Sequence, residues 1–249
     1  MNKLPAITLS FWIMKICATT LGETAGDLLS MTMNIGYAIS SAILLIFFST
    51  TLIVQLSTKK FHPIIYWAVI LATSTAGTTM SDYMDRTLGL GYANGSLILV
   101  SLLIAILTIW KLTEKSLSVT NIKSLRGEIF YWAAILFSNT LGTALGDFLA
   151  DNSGLGFAGG AILIGTLLAI IVLLFYFTKV SHVILFWLAF VLTRPFGATF
   201  GDLLTKTHEK GGLNFGTIGS SIILFSILTL LVLASIIKKN KEINTTTHL

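Results

Sequence analysis

Charge is what this sequence has least of. Asp, Glu, Lys and Arg together make up 11% of its 249 residues, against about 25% in an ordinary soluble domain. With 54% hydrophobic residues, that scarcity excludes a disordered chain and an ordinary soluble enzyme. There is a single cysteine, Cys17, which rules out an internal disulfide framework and a cysteine metal cluster. No His-Glu-x-x-His, no glycine-rich phosphate loop after a strand and no Gly-x-Ser-x-Gly occurs, so an enzyme is not expected. The four histidines, His62, His182, His208 and His248, fall in loops or at the end of the chain, and only His208 is on the side where the acids lie.

Long apolar runs, by contrast, are abundant. Segments near 7–30, 35–57, 63–86, 91–112, 128–151, 156–178, 182–205 and 215–237 are each long enough to cross about 30 Å of hydrocarbon as helix. Eight crossings put both ends of the chain on one side. That side carries eleven basic residues (Lys3, Lys59, Lys60, Lys111, Lys115, Lys123, Arg126, Lys179, Lys238, Lys239 and Lys241), the other only Arg86, Lys206 and Lys210. The positive-inside rule makes the basic side cytoplasmic. The net charge of +5 therefore reports orientation in a lipid bilayer, and no nucleic-acid partner is expected. The first run resembles a signal peptide in place, but it holds Lys15, Glu23 and Asp27 and matches later segments, so it is expected to be a retained span.

Four segments align without gaps from a tryptophan to an aspartate fifteen residues on: Trp12 to Asp27, Trp67 to Asp82, Trp132 to Asp147 and Trp187 to Asp202. Ten residues after each tryptophan stands Gly22, Gly77, Gly142 or Gly197, and just before each aspartate Gly26, Ser81, Gly146 or Gly201. An aromatic opens the next run: Tyr37, Tyr92, Phe157 or Phe215. Each copy is two spans long, so the copies are parallel rather than inverted. The predicted fold is an all-α polytopic membrane bundle of eight transmembrane helices, built from four helical-hairpin repeats near 7–57, 63–112, 128–178 and 182–237. A basic linker lies at 113–127 and a cytoplasmic tail at 238–249, in one integral membrane domain, 1–249. A shared TLG-x-x-x-GD in the first and third copies predicts two homologous halves about a pseudo-two-fold axis.

This tandem two-helix repeat, with one tryptophan and a Gly-x-x-x-small-Asp ending in each copy, resembles a family of uncharacterised bacterial membrane-anchored proteins with four tandem repeats of unknown function. The resemblance covers nearly the whole chain and implies a bacterial inner-membrane protein, with no established substrate. The fourth copy departs from it at Pro195 and in a longer turn with Lys206, His208, Glu209 and Lys210.

Positions seven, eight, eleven, twelve and fifteen after each tryptophan share one helix face. They read Thr19, Thr20, Glu23, Thr24, Asp27; Ser74, Thr75, Thr78, Thr79, Asp82; Asn139, Thr140, Thr143, Ala144, Asp147; and Arg194, Pro195, Ala198, Thr199, Asp202. Such stripes avoid lipid, so they are expected to converge on an interior seam. The small residues are read as helix-packing contacts. With the tryptophans in the cytoplasmic interfacial belt, the aspartates lie near the opposite face, about 22 Å away. They either cap the following helices or form a shared site in which Asp27, Asp82, Asp147 and Asp202 hold a metal cation or protons. Glu23, Ser74, Thr78, Asn139 and Thr143 would line the path. Glu23 and Arg194 are expected to pair as a seam contact or gate. Lys15 is a third charge out of repeat register, expected to snorkel outward or else to join Glu23 and Arg194 as a gating or ion-pair residue.

Oxygen ligands without thiolate or imidazole suit manganese, magnesium, calcium or protons over copper or zinc. Transport of such a small cation is the expected function, with no cofactor beyond a divalent cation bound at the acids. The alternatives are a structural or accessory inner-membrane protein whose aspartates cap helices, and an intramembrane enzyme acting on lipid. The sequence does not specify the oligomeric state.

Overall fold

The computed structural model describes residues 5–119, 122 and 124–247, with side chains as far as 237. Lys3, Lys123 and His248, and the side chains of Lys238, Lys239 and Lys241, lie outside the described residues.

Apolar length and a few local signals set the helices. Eight are present: α1 Leu9–Asp27, α2 Tyr37–Ser57, α3 Pro63–Asp82, α4 Gly91–Glu114, α5 Leu125–Asp147, α6 Gly156–Phe177, α7 His182–Thr205 and α8 Thr217–Thr247, with no strand among the described residues. Thr8 caps α1 and Ser124 caps α5 through their hydroxyl oxygens, while Pro63 opens α3, where its missing N–H costs nothing. α1, α3 and α5 each run past their aspartate into one π-helical turn, Leu28–Thr32, Tyr83–Thr87 and Phe148–Asn152. The basic linker is shorter than its composition suggests, because α4 continues to Glu114 and α5 starts at Leu125. The expected tail is likewise helical, continuing α8 through Thr247.

Seven of the eight helices are long and apolar enough to cross a membrane, and α1 is the one that is not. Lys15, Glu23, Asp27 and three threonines dilute its apolar character. Its burial explains how it can carry them: thirteen of its nineteen residues are buried, the three charges included.

The helices form two concentric layers. α1, α3, α5 and α7 close a ring in which α1 packs on α3, α3 on α5, α5 on α7 and α7 on α1. The glycines set that ring. A Cβ on Gly22 would sit 2.4 Å from Ser74 Cβ, on Gly77 2.9 Å from Thr140 N, on Gly142 2.4 Å from Arg194 Cβ, and on Gly197 2.7 Å from Thr19 Cβ. Each copy thus lays its glycine on the next copy, and the fourth returns to the first. The outer helices then depart from the hairpin expectation. α2 packs on α3, α4 on α5, α6 on α7 and α8 on α1, so each lies on the inner helix of a neighbouring copy rather than on its own partner.

Candidate functional site

Every fourth residue of an inner helix faces the ring, because four residues advance the helix by about 6 Å and 400°. Starting one residue before each tryptophan, this builds five stacked layers. Phe11, Tyr66, Tyr131 and Phe186 form the first; Lys15, Ile70, Ile135 and Phe190 the second; Thr19, Ser74, Asn139 and Arg194 the third; Glu23, Thr78, Thr143 and Ala198 the fourth; and the four aspartates the fifth. All twenty are buried, none more than 8% exposed.

The first layer is an aromatic plug. The Tyr66 and Tyr131 hydroxyls share a hydrogen bond of 2.8 Å, and Trp67, Trp132 and Trp187 pack around them, all buried. The expected interfacial tryptophan belt is corrected accordingly. These indoles face protein, because the tryptophan position adjoins the ring-facing stripe; only Trp12 is partly open.

Lys15 is also not where snorkelling would put it. It is fully buried, donating from Nζ to Asn139 Oδ1 at 3.3 Å across the ring, with Phe190's ring centroid 4.0 Å away. Asn139 in turn donates to Thr73 Oγ1 at 2.9 Å. α1 is enclosed at this depth by α3, α7 and α8, so the lysine stem has no apolar surface to follow outward.

In the third and fourth layers Arg194 organises the polar contacts. Its Nη2 donates to Glu23 Oε2 at 2.9 Å, to Thr143 Oγ1 at 2.7 Å, to Thr78 Oγ1 and to the Ser74 carbonyl, while Nη1 donates to the Thr19 carbonyl at 3.2 Å. Thr78 also donates to Glu23 Oε2 and to the Gly22 carbonyl, at 3.3 and 3.2 Å. One guanidinium on α7 therefore touches α1, α3 and α5. Ser74 meets it through its backbone, its own hydroxyl lying against Gly22. Pro195 follows without breaking α7. Gly142 of α5 seats closely on the Arg194 and Pro195 side chains, so the proline ring faces protein.

The aspartates lie at the far end and are tied in two pairs. Arg86 Nε is 2.8 Å from Asp82 Oδ1 and its Nη2 is 3.2 Å from Asp147 Oδ2. Lys206 Nζ is 2.6 Å from Asp27 Oδ2 and 3.1 Å from Asp202 Oδ1. Burial opposes the charge on Lys206, but the Asp202 and Asp27 carboxylates outweigh it and hold that ammonium above the ordinary lysine range. The capping alternative fails for α2, α4 and α6, none of which has a side-chain cap at its N-terminus. Those starts are turned by glycines in the left-handed region, Gly36 at φ 83° and Gly91 at φ 71° among them, while the aspartates look into the ring.

The four aspartates are not one ligand cluster. Oxygens of Glu23, Asp147 and Asp202 lie within 4.8 Å of one another; Asp27 and Asp82 stand outside that triangle. His208, whose Nδ1 is 2.9 Å from the Gly212 carbonyl, is exposed and takes no part. Arg86 and Lys206, by contrast, belong to the site, although sequence reading treats them as loop charges. The signal is present four residues after each aspartate, where Met31, Arg86, Asp151 and Lys206 stand. Only the second and fourth copies place a cation one turn beyond the acid.

A family model described as Repeat of Unknown Function (DUF347) matches residues 10–61, 65–116, 130–181 and 185–240. The chain belongs to this repeat family. Its four matched units coincide with the four inner-plus-outer helix pairs, so the repeat is the building unit of the ring. No curated protein and no solved structure matches the chain.

Proposed function

We propose that this protein of the repeat family is an integral membrane transporter-like protein that moves a small cation, a hard divalent metal or protons, along the axis of its inner ring. It would be a permeation protein and not an enzyme, set in a bacterial inner membrane with both ends of the chain cytoplasmic. The imbalance of eleven basic residues against three supports that orientation. All eight helices would then cross, α1 sheltered by its neighbours.

One observation carries the reading. Five carboxylates, Glu23 and the four aspartates, stand around a buried axis with only four cations, Lys15, Arg86, Arg194 and Lys206. Ionised groups at membrane depth are costly and usually mark ion paths. An excess of one negative charge favours a cation, and three oxygens within 4.8 Å offer the donor type that manganese, magnesium or calcium prefers. The structural alternative loses its capping role at α2, α4 and α6 but keeps one support: Arg194 is held from three helices, which suits a rigid brace.

Flux separates the two. The purified protein in liposomes should carry manganese, magnesium, calcium or protons down a gradient, and Asp147→Asn should abolish that flux while the protein remains folded. Absence of wild-type flux for all four ions, or undiminished flux in Asp147→Asn, overturns the transport reading.

A further inference from the structure

The two aspartate ties lie at alternate seams of the ring. Arg86 belongs to the turn after α3 and bridges Asp82 of α3 to Asp147 of α5. Lys206 follows α7 and bridges Asp202 of α7 to Asp27 of α1. At the other two seams, α1/α3 and α5/α7, no ion pair crosses the aspartate layer among the described residues. At α5/α7 the opposite holds: Asp147 and Asp202 present carboxylate oxygens within 4.8 Å of each other, and like charges that close repel.

We infer that the aspartate end of the ring opens as two half-rings, α3 with α5 and α7 with α1, separating along the α1/α3 and α5/α7 seams, with Arg194 as the latch that holds them together one layer further in. The half-rings cut across the duplication, which would pair α1 with α3 and α5 with α7. Arg194 and Glu23 lie in the same half, so their ion pair is kept on opening. What must be given up are the guanidinium's bonds to Thr78, Thr143 and the Ser74 carbonyl and the Thr78 hydroxyl's bonds to Glu23 and the Gly22 carbonyl, the hydrogen bonds that cross between halves at this depth. Each of these has at least one neutral partner, whereas the ties kept within each half join opposite charges and are the stronger. Deeper still, Lys15 to Asn139 joins α1 to α5, and the aromatic plug stays packed as the hinge end. In cross-section the ring is symmetric in its glycine seams but two-fold in its ionic ties, and the ties decide which seams part.

The inference rests on the transport reading for the purpose of opening, yet distances test it without any flux. With Cys17→Ser as background, spin labels go at exposed positions beyond the ring: Met33 for α1, Leu88 for α3, Ser153 for α5 and Glu209 for α7. In Arg194→Gln, the cross-seam pairs Met33–Leu88 and Ser153–Glu209 should gain a second, longer distance, while Leu88–Ser153 and Met33–Glu209 keep their wild-type distributions. Thr78→Val with Thr143→Val removes every cross-half bond made by those two hydroxyls, leaving only the 3.4 Å contact of Arg194 with the Ser74 carbonyl, keeps the buried ion pair, and should give the same pattern should Arg194→Gln fail to fold. Arg86→Gln should do the reverse, broadening Leu88–Ser153 most. Equal broadening of all four pairs, no change in any, or broadening confined to the within-half pairs on loss of the latch overturns the half-ring assignment. Unchanged flux with the expected distances would instead leave the half-rings standing and sink the link to transport.

Discussion

Within one repeat, two helices of similar length meet opposite fates. In the most apolar stretch of each inner helix that qualifies as a span, 61–72% of residues are buried; in the outer helices the figure is 17–22%. The difference lies in where each helix keeps its polar atoms. Inner helices carry them on the stripe that faces the axis, where Arg194 finds partners on three other helices. Outer helices are apolar almost all round and bury a short patch of small residues between the fourth and sixth positions of the helix: Ser40 and Ser41, Gly95 and Ser96, Gly160 and Ala161, Ser220 and Ser221. Lipid tails are as apolar as leucine, so hydrophobicity alone cannot sort helices inside a bilayer. Polar groups and small residues do the sorting.

The comparison is broken most directly at Arg194. Arg194→Gln strips Glu23 of its counter-charge at a depth where both are nearly inaccessible, and losing one member of a buried pair costs about 3–5 kcal/mol. Unfolding of the purified protein should register a loss of that size, with Glu23→Gln close behind. If the double change Glu23→Gln with Arg194→Gln recovers none of the loss, the pair is not what holds the two side chains in the ring.

The next largest effects separate the layers by packing. Ile70 is fully buried in the ring, and Ile70→Ala should cost about 2–5 kcal/mol. Gly77→Ala should cost about 1–3 kcal/mol, since its Cβ would press on backbone atoms of Asn139 and Thr140 at 2.9–3.0 Å, which move only if α5 moves. A Gly77→Ala protein as stable as the wild type would mean that the α3/α5 seam is looser than the ring requires.

Much of this was legible in the sequence. The tryptophan, glycine and aspartate register gives the four copies, their parallel sense and the stripe on which Glu23 and Arg194 meet. What was not legible depends on neighbours. A hairpin in sequence does not reveal whether its second helix packs back on its first or forward on the next copy, because both leave the same apolar pattern. Snorkelling was a fair expectation for Lys15 until α8 closed over α1, and capping was fair for aspartates that precede a helix until the π-helical turns held them toward the axis. Arg86 and Lys206 were hidden for a plainer reason: they stand just past the apolar runs, where a charge counts first as a topological signal. Reading one turn beyond each acid would have found them.

Lys15 sharpens the inner layer from the other direction. Its ammonium has one amide acceptor and one aromatic face, and no carboxylate within salt-bridge distance among the described residues. A buried charge so partnered costs stability. Lys15→Met, of similar length, should therefore unfold no earlier than the wild type and melt at a higher temperature, a smaller and opposite change to that at Arg194. A marked fall in melting temperature would show that the Lys15–Asn139–Thr73 chain is a net stabilising element.

The smallest effect belongs to the outer layer. Ile46 on α2 is 69% exposed and, in a bilayer, that exposure is to lipid tails. Ile46→Ala exchanges contact with lipid for contact with lipid and opens no cavity, so it should change stability by no more than about 0.5 kcal/mol, against the large loss at Ile70. Unfolding of the two variants side by side in lipid nanodiscs measures the difference between the layers with one chemical change. A cost at Ile46 approaching that at Ile70 would mean that the outward face of α2 is covered by protein, and that the ring described here is the centre of a larger assembly.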